Sequence, residues 1–406
     1  MRLPARLASA AELLDLLFTF RKPADGIIND YMRSRRYIGS KDRRWIADTV
    51  WRVLRHYGRF VRSSPVLDGR RAVLLLLRME GEDPATFLTG EPYALSPLTE
   101  EEKDFLAGLP ETWPGSEAEC PEWLSGDISR EDLAALTEEA PLDLRVNLLK
   151  ASRADVLAAL RQEGIEAEET PLSPVGLRVK GRVPVTGTAP FADGWIDIQD
   201  EGSQIVSLMT RAEPGQTVMD WCAGAGGKTL ALSAMMENRG TIYAADIDAR
   251  RLKDLPERAR RAGCRNVILL DGYAHLKKYD LVLVDAPCSG IGTWRRAPDA
   301  RWRMTAESVA GLIRTQAEIL EKAAEAVKPG GRLFYITCSL YREENEAQIE
   351  RFLKAHPEFE QEDLSPVFEA LTGSEITGPV CRLSPSVCKT DGFFAASMKR
   401  RQSVRG

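Results

Sequence analysis

The 406-residue chain contains no run of about 18 apolar residues, so a membrane-spanning helix is not expected. Its seven cysteines (Cys120, Cys222, Cys264, Cys288, Cys338, Cys381 and Cys388) form no CxxC pair and no zinc-ligand spacing, and their number is odd. That excludes a disulfide framework and a zinc site as organising features. It points to reduced thiols in a cytoplasmic protein that holds no metal. The opening stretch MRLPARLASAAELLDLLFTF is interrupted by Glu12 and Asp15 and lacks a signal-peptide core, so it reads as an amphipathic helix. Neither a Walker GxxxxGK[ST] loop nor a correctly spaced GxGxxG is present.

What is there is a soluble globular composition, 44% hydrophobic and 28% charged, in a chain too long for one ordinary core. Charge is unevenly spread. Residues 1–78 carry 17 Lys and Arg against 7 Asp and Glu, a net of +10, which leaves −15 for the remainder of a chain whose total is −5. A basic module on an acidic chain suggests that this end meets phosphates. The alternative is a solvated helical surface.

Residues 1–78 read as all-helical. In SKDRRWIADTVWRVLRHYGRF the residues Ile46, Val50, Val53, Leu54 and Tyr57 recur at helical spacing, with Ser40 placed as an N-cap. Arg35, Arg36, Lys41, Arg43 and Arg44 supply charge around this helix and are the candidate RNA contacts of the module. RRAVLLLLRME, apolar on most sides, reads as a buried helix. Residues 79–143 then carry 18 acidic and 2 basic residues among scattered prolines, and read as an acidic boundary region with short helices.

From 143 to 200, strands and a helix alternate (DLRVNLLK, SRADVLAALRQEG capped by Ser152, IEAEET, GLRVKG), which fits a small α+β module. Arg145 and Asn147 could contact RNA there or serve a strand-edge structural role. From Thr217 the pattern becomes regular. TVMD, TIYAAD, NVILLD, YDLVLVDAP and GRLFYITC are strand candidates separated by helical stretches, the signature of a doubly wound, mainly parallel α/β sheet. The expected division is 1–140, a helical domain with its acidic linker; 141–205, the α+β module; and 206–406, a Rossmann-like catalytic domain. Ligands of such sheets sit beyond the carboxyl ends of the strands, where Asp220, Asp246, Asp271, Asp285 and Cys338 are all expected.

The loop Cys222, Ala223, Gly224, Ala225, Gly226, Gly227, Lys228 lets backbone approach a ligand, with free amides where the next helix starts. Asp246 lies about 20 residues on, where a carboxylate binds ribose hydroxyls. With Asp271 ending the next strand, on the adenine side, an adenosyl cofactor such as S-adenosyl-L-methionine is favoured over a plain turn. The cysteines of DAPCSG and TCS add reaction chemistry. A thiolate adding to carbon 6 of a cytosine makes carbon 5 nucleophilic enough to take an activated methyl group, and Asp285 is placed as the assisting acid. Either cysteine alone would read as a buried small hydrophobe. The pair, beside one cofactor edge, points to catalysis.

These motifs resemble the Sun-type (Fmu) RNA 5-methylcytosine methyltransferases, in the bacterial ribosomal RNA branch with a NusB-like N-terminal domain. The likeness covers YIGSKDRRWIADTVWRVLR, LRVNLLK, IDIQDEGSQIVS, CAGAGGK, DAPCSG and TCS. The resemblance implies Cys338 as nucleophile, Cys288 as the residue that helps release the product, and the glycine loop, Asp246, Asp271 and Asp285 as the S-adenosylmethionine site. It makes GTWRRAPDARWR, with Arg295, Arg296 and Arg301, an RNA-facing segment. It implies an RNA partner, most simply small-subunit ribosomal RNA, and a monomer. A transfer RNA methyltransferase and an inactive RNA-binding assembly factor are the competing readings. Two departures stand out: Ala225 where the family often has proline, and no histidine before DGFF.

Overall fold

The computed structural model describes residues 1–64, 66–181, 183–273 and 278–402. They form two compact units: Met1–Glu139 with Trp294–Ala306, and Ala140–Thr293 with the chain from Glu307 onward. The α+β module and the large sheet therefore share one unit. The segment after DAPCSG belongs with the helices.

In the first unit the helices Leu3–Leu17, Ala24–Ser34, Ser40–Arg55 and Gly69–Met79 close on one core. Ile46, Val50, Val53 and Leu54 are fully buried, as their helical spacing requires, and so are Ala72 to Leu75 of the apolar helix. Ser40 is not the cap: Gly39 holds that position, and Ser40 is the first helical residue without a side-chain cap bond. The acidic stretch is folded onto the basic helices. Glu102 takes Arg70 in two bonds of 2.6 and 2.8 Å, and Glu101 pairs with Arg71 at 2.8 Å. Fully buried Glu119 accepts the backbone N–H groups of Gly58 and Arg59. Much of the basic excess of 1–78 is thus matched within the unit.

Residues 294–306 complete this unit. Arg301 is fully buried; it donates to the carbonyls of Glu119 and Leu136 at 3.1 and 3.0 Å, and lies 5.1 Å from the Trp294 ring centre. Trp302 packs on Tyr57, and Asp299 accepts the Ala24 N–H.

The second unit starts with an antiparallel four-stranded sheet. Its strands are β1 Leu142–Val146, β2 Ala167–Glu169, β3 Gly176–Val179 and β4 Ile196–Ile198, in the order β2-β3-β1-β4. The helix Arg153–Gln162 packs on it, started by a capping box between Ser152 and Asp155.

The large sheet follows. Its strands are β5 Thr217–Asp220, β6 Thr241–Ala244, β7 Val267–Leu269, β8 Tyr279–Asp285, β9 Val327–Thr337, β10 Phe359–Glu362, β11 Cys381–Leu383 and β12 Phe393–Arg400. The order is β10-β12-β9-β8-β5-β6-β7, with β11 paired to β12. β7, β6, β5, β8 and β9 run parallel, and β12 and β10 are antiparallel additions. Both faces are buried. Val282, Val284, Leu333, Tyr335 and Phe394 point into one core, while their neighbours Leu281, Leu283, Phe334, Ile336 and Ala395 point into the other. That two-residue period, with helices over both faces, explains strands that read as unbroken apolar runs.

Candidate active site

Strand order reverses at β5, which has β6 on one side and β8 on the other. This is the switch point where open α/β sheets bind ligands. Asp220 ends β5, Asp285 ends β8, Cys338 follows β9 directly, and Asp246 and Asp271 lie just beyond β6 and β7.

From β5 the chain enters the glycine loop. Gly224 and Gly226 have φ of 51° and 86°. A Cβ at Gly226 would stand 2.1 Å from the Leu255 side chain, so glycine alone allows this turn into the helix Gly227–Met235. Asp246, almost wholly buried, ties the loop to the end of β6. Its oxygens accept the N–H groups of Gly224 at 3.1 Å and Asp248 at 3.0 Å, and pair with Arg251 at 3.1 Å. Asp271 is exposed. Beside Cys222, Trp221 and Tyr273 stack 4.6 Å apart, and the Tyr273 hydroxyl donates to the Trp221 carbonyl. Burial pushes the Cys222 thiol far above its ordinary value, which suits packing rather than reaction.

Beneath the loop, fully buried Asp220 accepts the Thr229 hydroxyl at 2.7 Å through one oxygen, and its other oxygen has no hydrogen-bond partner. Burial pushes this carboxyl from 3.8 up to about 7. A folded-state value above the unfolded one adds stability that is full below the unfolded value and lost as pH rises through the folded one. The window here runs from about pH 4 to about pH 7. Asparagine cannot ionise, so Asp220→Asn should gain in Tm on the wild type as pH is raised from 5 to 8 in thermal unfolding without ligand. A pH-independent difference would contradict this assignment.

Lys228 closes the loop and bonds Asp285 at 2.7 Å. Burial works most strongly against its charge, but the charge and hydrogen bond of Asp285, together with Cys338 and Asp220, raise its pKa on balance. Nearby, the Sγ atoms of Cys288 and Cys338 lie 3.4 Å apart. The DAPCSG loop is pinned to the second cysteine: Gly292 donates its N–H to the Cys338 carbonyl at 3.0 Å and accepts that of Gly392, in DGFF, at 2.8 Å. A Cβ at Gly292 would lie 2.2 Å from the Gly392 carbonyl, so this crossing needs glycine. The hydrogen bond with Cys338, then burial and the negative charge of Cys338 and Glu344, push the Cys288 thiol up.

Glu344 was not singled out by sequence reasoning. It is fully buried and accepts from both serines that follow the cysteines, Ser289 and Ser339. The signal available was a serine after each cysteine and a glutamate in the REEN turn that follows.

The expected RNA contacts divide. Arg36, Lys41, Arg44 and Arg296 are exposed. Arg35 pairs with Glu12 and lies over the Tyr31 ring, and Arg43 bonds the Ile38 carbonyl. Three expectations are corrected. Arg145 is buried, donating to Gln199 and to the Gly227 carbonyl, with Asp197 at 3.7 Å; it fastens the α+β module to the glycine loop. Buried Asn147 likewise donates to the Gly194 and Ala262 carbonyls. Arg295 is buried too, so its side chain does not lie on the surface.

The cluster fits an adenosyl cofactor. Part-exposed Gly227 opens the helix after the loop, Asp246 holds the loop at Gly224, and Asp220 keeps an unpartnered buried oxygen below. Among the described residues no group of His, Cys, Asp and Glu is arranged to hold a metal, and no helix is long and apolar enough to cross a membrane.

Comparison with known proteins agrees with this geometry. Residues 207–399 match the family model described as 16S rRNA methyltransferase RsmB/F, and residues 126–186 match the RsmF/B-like ferredoxin-like domain. A probable ribosomal RNA small subunit methyltransferase B of Synechocystis is 35% identical over 70% of this chain and 68% of its own length. The methyltransferase B of Photorhabdus laumondii is 33% identical over 69% and 66%. The chain thus spans about two thirds of these relatives. A solved methyltransferase homologue from Pyrococcus horikoshii is 33% identical, with a TM-score of 0.58 over 67% of this chain and 90% of its own. The solved protein PH0851 is 27% identical, with a TM-score of 0.77 over 98% and 99%. The fold, the loop and these matches together make the chain a member of the RsmB/F family of S-adenosylmethionine-dependent ribosomal RNA methyltransferases.

Proposed function

We propose that the protein methylates carbon 5 of one unpaired cytosine in small-subunit ribosomal RNA through a covalent adduct on Cys338. The observation that carries this reading is the pair of thiols 3.4 Å apart, on loops that follow two adjacent strands, with the Lys228–Asp285 pair next to them. Two thiols within contact distance at the rim of a methyl-donor site have a use in pyrimidine chemistry that plain methyl transfer to a nucleophilic atom lacks.

The Cys338 sulfur adds to carbon 6 of the cytosine, and the ring's double-bond electrons shift so that carbon 5 becomes nucleophilic. Asp285, bonded to Lys228, faces the exocyclic amine and ring nitrogen and acts as the acid that gives the ring nitrogen a proton as the sulfur adds. S-adenosylmethionine, held by the glycine loop, Asp246 and Asp271, supplies an electrophilic methyl group on a sulfonium sulfur. The carbon 5 proton then passes to solvent with Cys288 assisting, its bonding electrons re-form the ring double bond, and the carbon–sulfur bond breaks to return Cys338 as a thiolate. A thiolate cannot reach carbon 6 in a stacked helix, so the target lies in a loop or bulge. Exposed Arg36, Lys41, Arg44 and Arg296 are the candidates that hold it.

The test is transfer of a labelled methyl group to small-subunit ribosomal RNA, followed by nucleoside analysis. The expected product is 5-methylcytidine at one position, with transfer RNA transcripts unlabelled. Label on any other nucleoside would overturn the reading.

A further inference from the structure

Two cysteines side by side present a chemical problem, since only one should carry the negative charge when the base is attacked. The surroundings of the pair differ. Lys228 bonds Asp285 at 2.7 Å, and Cys338 is among the groups that raise the Lys228 pKa. On the Cys288 side Glu344 takes both the N–H and the hydroxyl of Ser289, the residue after Cys288, and the Tyr335 hydroxyl donates to the Glu344 carbonyl.

Glu344 is 0% exposed, and its four donors are all neutral. One carboxylate oxygen accepts the Ser289 N–H at 2.8 Å and the Gln316 amide at 3.0 Å. The other accepts the Ser289 hydroxyl at 2.5 Å and the Ser339 hydroxyl at 2.6 Å. Ser289 follows Cys288 and Ser339 follows Cys338, so one side chain grips both cysteine loops. The grip is braced: Gln316 also donates to the Pro287 carbonyl, Tyr335 to the Glu344 carbonyl, and Asn345 to the Ser339 carbonyl. Glu344 is among the groups that push the neighbouring Cys288 thiol up.

We propose that Glu344 is a positioning residue that locks the two cysteine loops in register and keeps the negative charge of the thiol pair on Cys338 and off Cys288. This rests on the covalent reading above. It assigns to Glu344 the asymmetry which that reading needs, because Cys288 stays a thiol while Cys338 attacks.

Alkylation by iodoacetamide, followed peptide by peptide in the full-length protein between pH 6 and 9, tests it without any turnover. In the wild type Cys338 should react at least about tenfold faster than Cys288 at pH 7.5, one pKa unit being a factor of ten. In Glu344→Gln, which keeps the shape and removes the charge, Cys288 should begin to react at lower pH and the ratio should fall to about threefold or less. An unchanged ratio in a variant with wild-type circular dichroism would overturn the proposal. Should that variant not fold, Ser339→Ala and Ser339→Thr decide the matter. Alanine should lower kcat about tenfold with both KM values unchanged, and threonine, which retains the hydroxyl, should restore it. Equal kcat in Ser339→Ala and wild type would overturn it. Failure of the covalent reading shows separately, as methyl transfer surviving in Cys338→Ala.

Discussion

Replacing Cys338 by alanine should lower methyl transfer to RNA by about 10,000-fold or more, because the step that makes carbon 5 reactive is lost outright. The loss should fall on kcat. S-adenosylmethionine binding, read by calorimetry, should stay within about threefold of the wild type, since the glycine loop and Asp246 that hold it are unchanged. Stability should change by no more than about 1 kcal/mol, because the side chain is half-buried and small. Inactivity with an intact fold and intact cofactor binding separates a nucleophile from a structural cysteine.

Cys288→Ala should behave differently. Cys338, Lys228 and Asp285 remain, so attack and methyl transfer proceed, but release from the base is impaired. The expected result is a protein–RNA band that survives denaturing electrophoresis, with turnover slowed about 100-fold or more while one methyl group per enzyme is still transferred. The double variant should give no such band. The 3.4 Å separation of the two sulfurs puts Cys288 within reach of an adduct on Cys338.

The two variants probe the part of the site that was most legible from sequence. Residues at the ends of parallel strands are placed by chain direction alone, so Asp220, Asp285 and Cys338 could be assigned to one edge before any coordinates. The glycine loop was legible for the same reason, since its position after a β-branched run leaves few conformations open. What could not be read depends on partners far away in sequence. Arg145 and Asn147 look like surface polar residues on a strand edge, and only the packing of the α+β module shows that they reach carbonyls at Gly227 and Ala262. The acidic stretch reads as a linker until Glu102 is seen gripping Arg70 and Glu119 capping the chain at Gly58. Trp294–Ala306 joins the helical unit through buried Arg301, a residue type that sequence reasoning places at the surface. Ser40 fails as a cap because the preceding Gly39 already takes the extended conformation a cap requires. Glu344 stayed hidden because a buried carboxylate is recognisable only from its donors.

The division of labour between the cysteines is the centre of the account, and one measurement reaches it directly. The covalent complex formed by Cys288→Ala with its RNA can be digested with nuclease and protease, and the modified peptide sequenced by mass spectrometry. The expected product is a methylated cytidine attached to the peptide that contains Cys338. Attachment at any other cysteine, or a trapped species without the methyl group, would contradict it.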